Sequence, residues 1–182
     1  MIDSSDFAII KHKFHYTNID NPSSTLGGLQ PKLPLAEVSN NELGEKCLWT
    51  SEGMIMTCNN LVAKINDTLL LIDSEDKFKK IFTPIEDEQE AISYVSYLTR
   101  AYPQYDIPKK FRYRIYSPTF PSTYSKRIGE GFEVLLHDKK IFGCGPHPNF
   151  YKVFRVTFSG EITLVKTVKM FEDPKEDALC VD

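Results

Sequence analysis

The sequence predicts an α+β domain: an antiparallel, β-rich sheet made of a four-strand meander and C-terminal hairpins, with two central helices packed on one face. Three observations predict it. The chain carries 12 Phe, 9 Tyr and 1 Trp against only six Ala, a balance that suits pleated, half-buried surfaces better than packed helices. Four short apolar runs between residues 46 and 72 are separated by pairs of Asn, Asp, Glu and Gly, the composition of tight hairpin turns. Helical patterning is confined to one acidic stretch in the middle. At 182 residues the expectation is a single globular domain over 1–182. With 41% apolar and 26% charged residues, disorder, collagen and coiled coil are excluded.

Phe7 to Tyr16 is aromatic and β-branched with a polar middle, and reads as a first strand. Residues 18–41 read as a long loop, because Pro22, Pro31 and Pro34 with Gly27 and Gly28 interrupt any period. Such a loop is a candidate binding element or an arm laid over the sheet. The meander follows as Lys46 to Thr50, Met54 to Cys58, Leu61 to Ile65 and Thr68 to Ile72, turning at Glu52-Gly53, Asn59-Asn60 and Asn66-Asp67. Asp73 to Phe82 is expected to form a short helix. A second starts after Pro84, where Asp87 and Glu90 supply a capping box and Ala91, Ile92, Val95 and Leu98 an apolar stripe. Lys109 to Tyr116 then alternates as a strand, with Lys110, Arg112 and Arg114 on its wet face. Gly131 to His137 is a further strand, and Phe150 to Phe158 pairs through Ser159-Gly160 with Glu161 to Lys169.

The formal charge of −3 hides a segregated distribution. Asp73 to Glu90 carries seven acids against three lysines, Lys109 to Lys140 eight Lys or Arg against three acids, and Glu172 to Asp182 five acids against Lys175. No basic n-region with an apolar stretch opens the sequence, and no apolar run approaches the roughly 18 residues of a membrane span. The expected location is cytoplasmic as written, or extracytoplasmic if a leader has been removed.

Cys47, Cys58, Cys144 and Cys180 permit two disulfides. A two-residue loop at Glu52-Gly53 would set Cys47 directly opposite Cys58, at a hydrogen-bonded site where side chains diverge. Without an export signal, reduced and buried thiols are expected. The disulfide alternative pairs Cys47 with Cys58 and Cys144 with Cys180.

Chemistry-bearing residues concentrate in two places. In Gly143-Cys144-Gly145-Pro146-His147-Pro148, glycines and prolines hold Cys144 and His147 on a stiff turn. With a carboxylate such as Asp138 they are the candidates for a thiolate nucleophile, its base and an orienting acid, while a structural turn is the favoured account of the pattern. As zinc ligands, Cys144 and His147 would need His137 and Cys180, and no second pair stands at ligand spacing. His12 and His15 would point to opposite faces of a strand. Neither metal nor cofactor is expected. The second place is a basic and aromatic surface: Arg112, Arg114, Tyr116, Phe120, Tyr124, Lys126 and Arg127. Cations beside exposed aromatics suit base stacking on single strands and protein hot spots. The acidic balance of the domain argues against nucleic acid and for a protein partner with an acidic surface. The carboxylates of Glu86 to Glu90, and of Glu172, Asp173, Glu176 and Asp177, read as capping and solubility.

No nucleotide-binding, hydrolase or metalloprotease motif occurs. From Glu86 to Lys169 the order of helix, antiparallel strands and terminal hairpin resembles small inhibitor-type α+β domains such as the PepSY and cystatin-like groups. The functional expectation is a non-enzymatic binding protein, of immunity or inhibitor type, working through protein contacts. The alternatives are a Cys/His-dependent enzyme centred on the 143–148 turn and an extracytoplasmic disulfide-bonded domain.

Overall fold

The computed structural model describes residues 2–41, 46–53, 56–107 and 112–181. The chain is α+β and rich in antiparallel strands, as expected, and it divides into two compact units, Met1–Thr83 and Pro84–Asp182.

The first unit opens with a helix where a strand was expected. Helix α1 (Ser4–Phe14) is started by a capping box: the Asp3 carboxylate accepts from the amides of Ser5 and Asp6 at 2.9 and 3.1 Å, and Asp6 accepts from the Asp3 amide at 3.0 Å. Three orphan donors of the first turn are thereby satisfied. Phe7, Ile10 and Phe14, spaced three and four apart, then face a core of Ile2, Tyr16, Ala36, Val38, Val62 and Leu69. That helical spacing outweighs the β-branched composition.

The segment 18–41, expected as a loop, contributes β1 (Asn18–Asp20), a 3-10 turn at Ser24–Gly28 and β2 (Leu35–Asn40). Its prolines fall between these elements and break no ladder. Then come β3 (Trp49–Thr50), β4 (Cys58–Ile65) and β5 (Thr68–Ile72). Strand β4 is the centre: β2 pairs along one side, and β3 and β5 share the other. The hairpin at Asn66-Asp67 is present, with φ of 46° and 59° at its two residues, as such a turn demands.

The Asn59-Asn60 turn is not: both residues lie inside β4. Asn60 is buried and fully engaged, Oδ1 accepting from the Leu48 amide at 2.7 Å and Nδ2 donating to the Tyr16 hydroxyl at 2.6 Å, so its amide is tolerated in the core. The meander therefore has a different register from the one expected. Thr50, not Cys47, stands opposite Cys58, and the Met54–Ile55 part of that expectation lies outside the described residues. Helix α2 (Glu75–Ile81), capped by Ser74, buries Phe78 and packs on β5.

In the second unit, α3 (Glu88–Thr99) is capped by Asp87, which accepts from the Glu90 amide at 2.8 Å, while Glu90 accepts from the Glu86 amide at 2.8 Å. The strands are β6 (Arg114–Ile115), β7 (Tyr124–Ile128), β8 (Gly131–Lys139), β9 (Gly143–Cys144), β10 (Asn149–Thr157), β11 (Ile162–Glu172) and β12 (Cys180–Val181). Five of them form a sheet in the order β6-β11-β10-β8-β7, and β9 pairs with β12. Helix α3 packs over β7, β8 and β10, so each of the two central helices packs on the sheet of its own unit.

A second cluster joins Leu135, Tyr151, Val153, Met170 and Phe171 with Ile107, Tyr113, Phe120, Tyr124 and Val168. Of the expected strand Lys109 to Tyr116, residues 109–111 lie outside the described residues and Arg114–Ile115 form β6. Strand β7 turns into β8 at Gly129, whose φ is 47°. At Gly131 any side chain would strike the Val156 carbonyl.

Candidate functional site

All four cysteines are bonded, Cys47 to Cys58 and Cys144 to Cys180. The expectation of reduced thiols is corrected, and the pairing is the alternative one. For Cys47 and Cys58 the bridge forms although the two are not ladder partners: their Cα atoms are 5.3 Å apart, inside the usual span for a disulfide.

The 143–148 turn is a staple. Cys144 faces Cys180 across the β9–β12 pair and is bonded to it. His147 is buried, with Nδ1 at 3.1 Å from the Lys140 carbonyl and Nε2 at 3.2 Å from the Leu179 carbonyl. Asp138 pairs with Lys152 at 2.5 Å. The sulfur is thus committed to a bond, the imidazole to main-chain carbonyls and the carboxylate to a lysine, and no nucleophile–base–acid array is assembled from the three. Lys139 joins the same tie through Glu176 at 2.6 Å. His12 lies in α1 and His15 is its left-handed C-cap. Among the described residues no three His, Cys, Asp or Glu side chains are grouped to hold a metal ion, and no helix is long and apolar enough to cross a membrane.

The basic and aromatic residues separate into three groups. Phe120 packs against Phe171, ring centroids 5.2 Å apart, in the core. At one edge of the sheet, on β7, Tyr124 donates to Glu133 at 3.0 Å, Lys126 pairs with Glu133 at 2.7 Å, and the Arg127 guanidinium lies 4.8 Å from the Phe158 ring centroid. Arg127 and Phe158, with Pro84, Ile85 and Glu86, line an open cleft of about 390 Å³. Arg114 and Tyr116 stand at the opposite edge, four strand spacings or about 19 Å away. Arg112 is exposed beside them. The seven do not make one surface.

The group at the β6 edge is organised by a residue that the sequence reading assigned to solubility. Glu172 ends β11 and is only 4% exposed. Its carboxylate accepts from the Tyr116 hydroxyl at 2.9 Å and pairs with Lys169 at 2.6 Å and with Arg114 Nε at 3.3 Å. Arg114 also pairs with Asp177, just beyond the 3-10 turn Pro174–Glu176. Lys169 lies over the Tyr116 ring, 3.8 Å from its centroid, a cation–π contact.

The Tyr116 and Ser117 amides both donate to the Met170 carbonyl, at 2.8 and 3.2 Å, anchoring the segment to β11. The Lys169 hydrogen bond, followed by that of Tyr116 and the nearby Arg114 charge, holds the Glu172 carboxyl below its ordinary pKa against the opposing effect of burial. Lys169 and Arg114 are correspondingly held above theirs by their carboxylate partners. Two cations meet two anions, so the edge is locally neutral. What it presents outward is Ile115 and Tyr116, each 52% exposed, beside the guanidinium. The signal in the sequence was an acid placed directly after Met170-Phe171 at a strand end, where the apolar pair commits the next side chain to the sheet.

Comparison with protein-family models, curated proteins and solved structures returns no match.

Proposed function

We propose that this chain is a non-enzymatic binding protein, of inhibitor or immunity type, that engages a protein partner through Arg114, Ile115, Tyr116 and Lys169 at the β6 edge. One observation carries the reading: a half-exposed tyrosine is fixed from above by Lys169 at 3.8 Å and at its hydroxyl by Glu172 at 2.9 Å, next to an exposed Ile115. Tyr and Arg dominate protein interfaces because they offer large area with few torsions to freeze. Here those torsions are already restrained, which lowers the cost of association. The carboxylate pairing of Arg114 and Lys126 supports a protein rather than a polyphosphate. The two disulfides favour an oxidising compartment as the place of action.

The test compares capture from an extract of the source cells by the wild-type chain, Tyr116→Ala and Arg114→Ala. A stoichiometric partner that is retained by wild type and lost by about 30-fold in affinity with either variant, at unchanged thermal stability, is expected. Equal retention by all three refutes the assignment.

A further inference from the structure

We propose that the free edge of β11, from Ile162 to Lys169, receives an extended, carboxylate-bearing segment of the partner as an added strand. The inference rests on the protein-binding reading above and specifies its mode. Strand β10 pairs along one side of β11 for its whole length, whereas on the other side β6 covers only Phe171 and Glu172. Among the described residues no strand continues that pairing toward Ile162. A row of backbone donors and acceptors is therefore presented to solvent, the template on which strand addition works. The side chains are equally open: Thr163, Leu164, Val165, Lys166 and Thr167 are all exposed, Leu164 by 52% and Val165 by 47%.

Charge selects the occupant. No acid occurs between Ile162 and Lys169. Lys166 lies over the Tyr151 ring at 5.6 Å and forms no carboxylate pair among the described residues. A second copy of this chain would bring like charges together along the seam, which is the usual protection of a sheet edge. A strand bearing carboxylates at alternate positions would instead meet Lys166.

The register shifts at Val165, from Val153 opposite Lys166 to Phe154 opposite Leu164. Such a bulge bends and twists the strand, which a single pliant segment can follow and the edge of a rigid sheet cannot. A segment laid there in line with β6 would end against Tyr116 and Arg114, joining the two surfaces.

The experiment titrates the ¹⁵N-labelled full chain with a short capped peptide of alternating Val and Glu. Amide shift changes and slowed hydrogen exchange centred on Ile162–Lys169 are expected, with about tenfold weaker binding of an alternating Val and Lys peptide, and of the acidic peptide by Lys166→Glu. An acidic peptide N-methylated at alternate amides should not bind. Equal response to the N-methylated peptide, changes centred away from β11, or no binding at millimolar peptide overturns the proposal. Failure here with Tyr116→Ala still losing the captured partner rejects strand addition and leaves the binding function standing.

Discussion

The Lys169 ammonium and the Tyr116 ring, 3.8 Å apart at the centroid, are held together by a third group that each of them contacts, the buried Glu172 carboxylate. Those contacts hold the carboxyl's pKa below the ordinary 4.5, the Lys169 hydrogen bond foremost. A depressed acid contributes stability that is present above the unfolded value and lost as pH falls through the folded one. The Tyr116 ring resonances are therefore expected to stay constant from about pH 8 to about pH 5 and to shift only below that. In Glu172→Gln they should already be displaced at neutral pH. A titration of Tyr116 centred near neutrality contradicts the assignment.

The Cys144–Cys180 bridge ties the C-terminal segment to the 143–148 turn with help from His147 and the Lys139–Glu176 pair. Removing a native disulfide from a small domain costs about 2–5 kcal/mol. Cys144→Ser with Cys180→Ser should lower the melting temperature and raise amide exchange at Gly145, whose N–H donates to the Leu179 carbonyl at 3.1 Å. Intact mass should rise by four hydrogens when both native bridges are reduced. Unchanged mass shows that the bridges are absent in solution.

Local chemistry carried most of what could be read ahead of the structure. Asn66-Asp67, Ser159-Gly160 and Asp87 act where they were expected, because each satisfies a demand made within four residues. Misreadings arose where distant partners decide. Asn60 looks like a turn residue until Tyr16 and Leu48 supply its partners from 44 and 12 residues away. Phe7 to Tyr16 has strand composition, yet Asp3 and Asp6 form a capping box with Asp in place of the usual Glu. Lys126 and Arg114 read as one basic surface, and only the order of the sheet separates them. The site itself was half legible: Arg114 and Tyr116 were singled out, and Glu172 was not, since its role depends on burial that composition does not report.

Asn60 offers a direct test of the first unit. Its side chain satisfies the Leu48 amide and the Tyr16 hydroxyl inside β4. Asn60→Leu keeps the volume and removes both interactions, leaving the Leu48 N–H without its acceptor and the Tyr16 hydroxyl oxygen without its donor. A loss of about 2–4 kcal/mol in unfolding free energy is expected. Thermal or urea unfolding measures it, and a neutral outcome means that water reaches the site.

His137 governs the behaviour of the second unit in acid. It is fully buried on β8, exchanging main-chain bonds with Tyr102 at 2.8 and 2.9 Å, and among the described residues neither ring nitrogen makes a well-formed hydrogen bond, the nearby Pro121 carbonyl included. Burial lowers its pKa below 6.5, opposed only by the nearby Pro121 carbonyl. The unfolded chain therefore binds a proton in a range where the folded one does not, so stability is retained above about pH 6.5 and declines as pH falls beneath it. A loss of unfolding free energy between pH 7 and pH 5 is therefore expected. His137→Phe fills the same apolar site without a titrating group. Its unfolding free energy should match or exceed wild type at pH 7 and lose this part of the acid slope. If wild type and variant decline in parallel from pH 7 to pH 5, the buried imidazole is not the source.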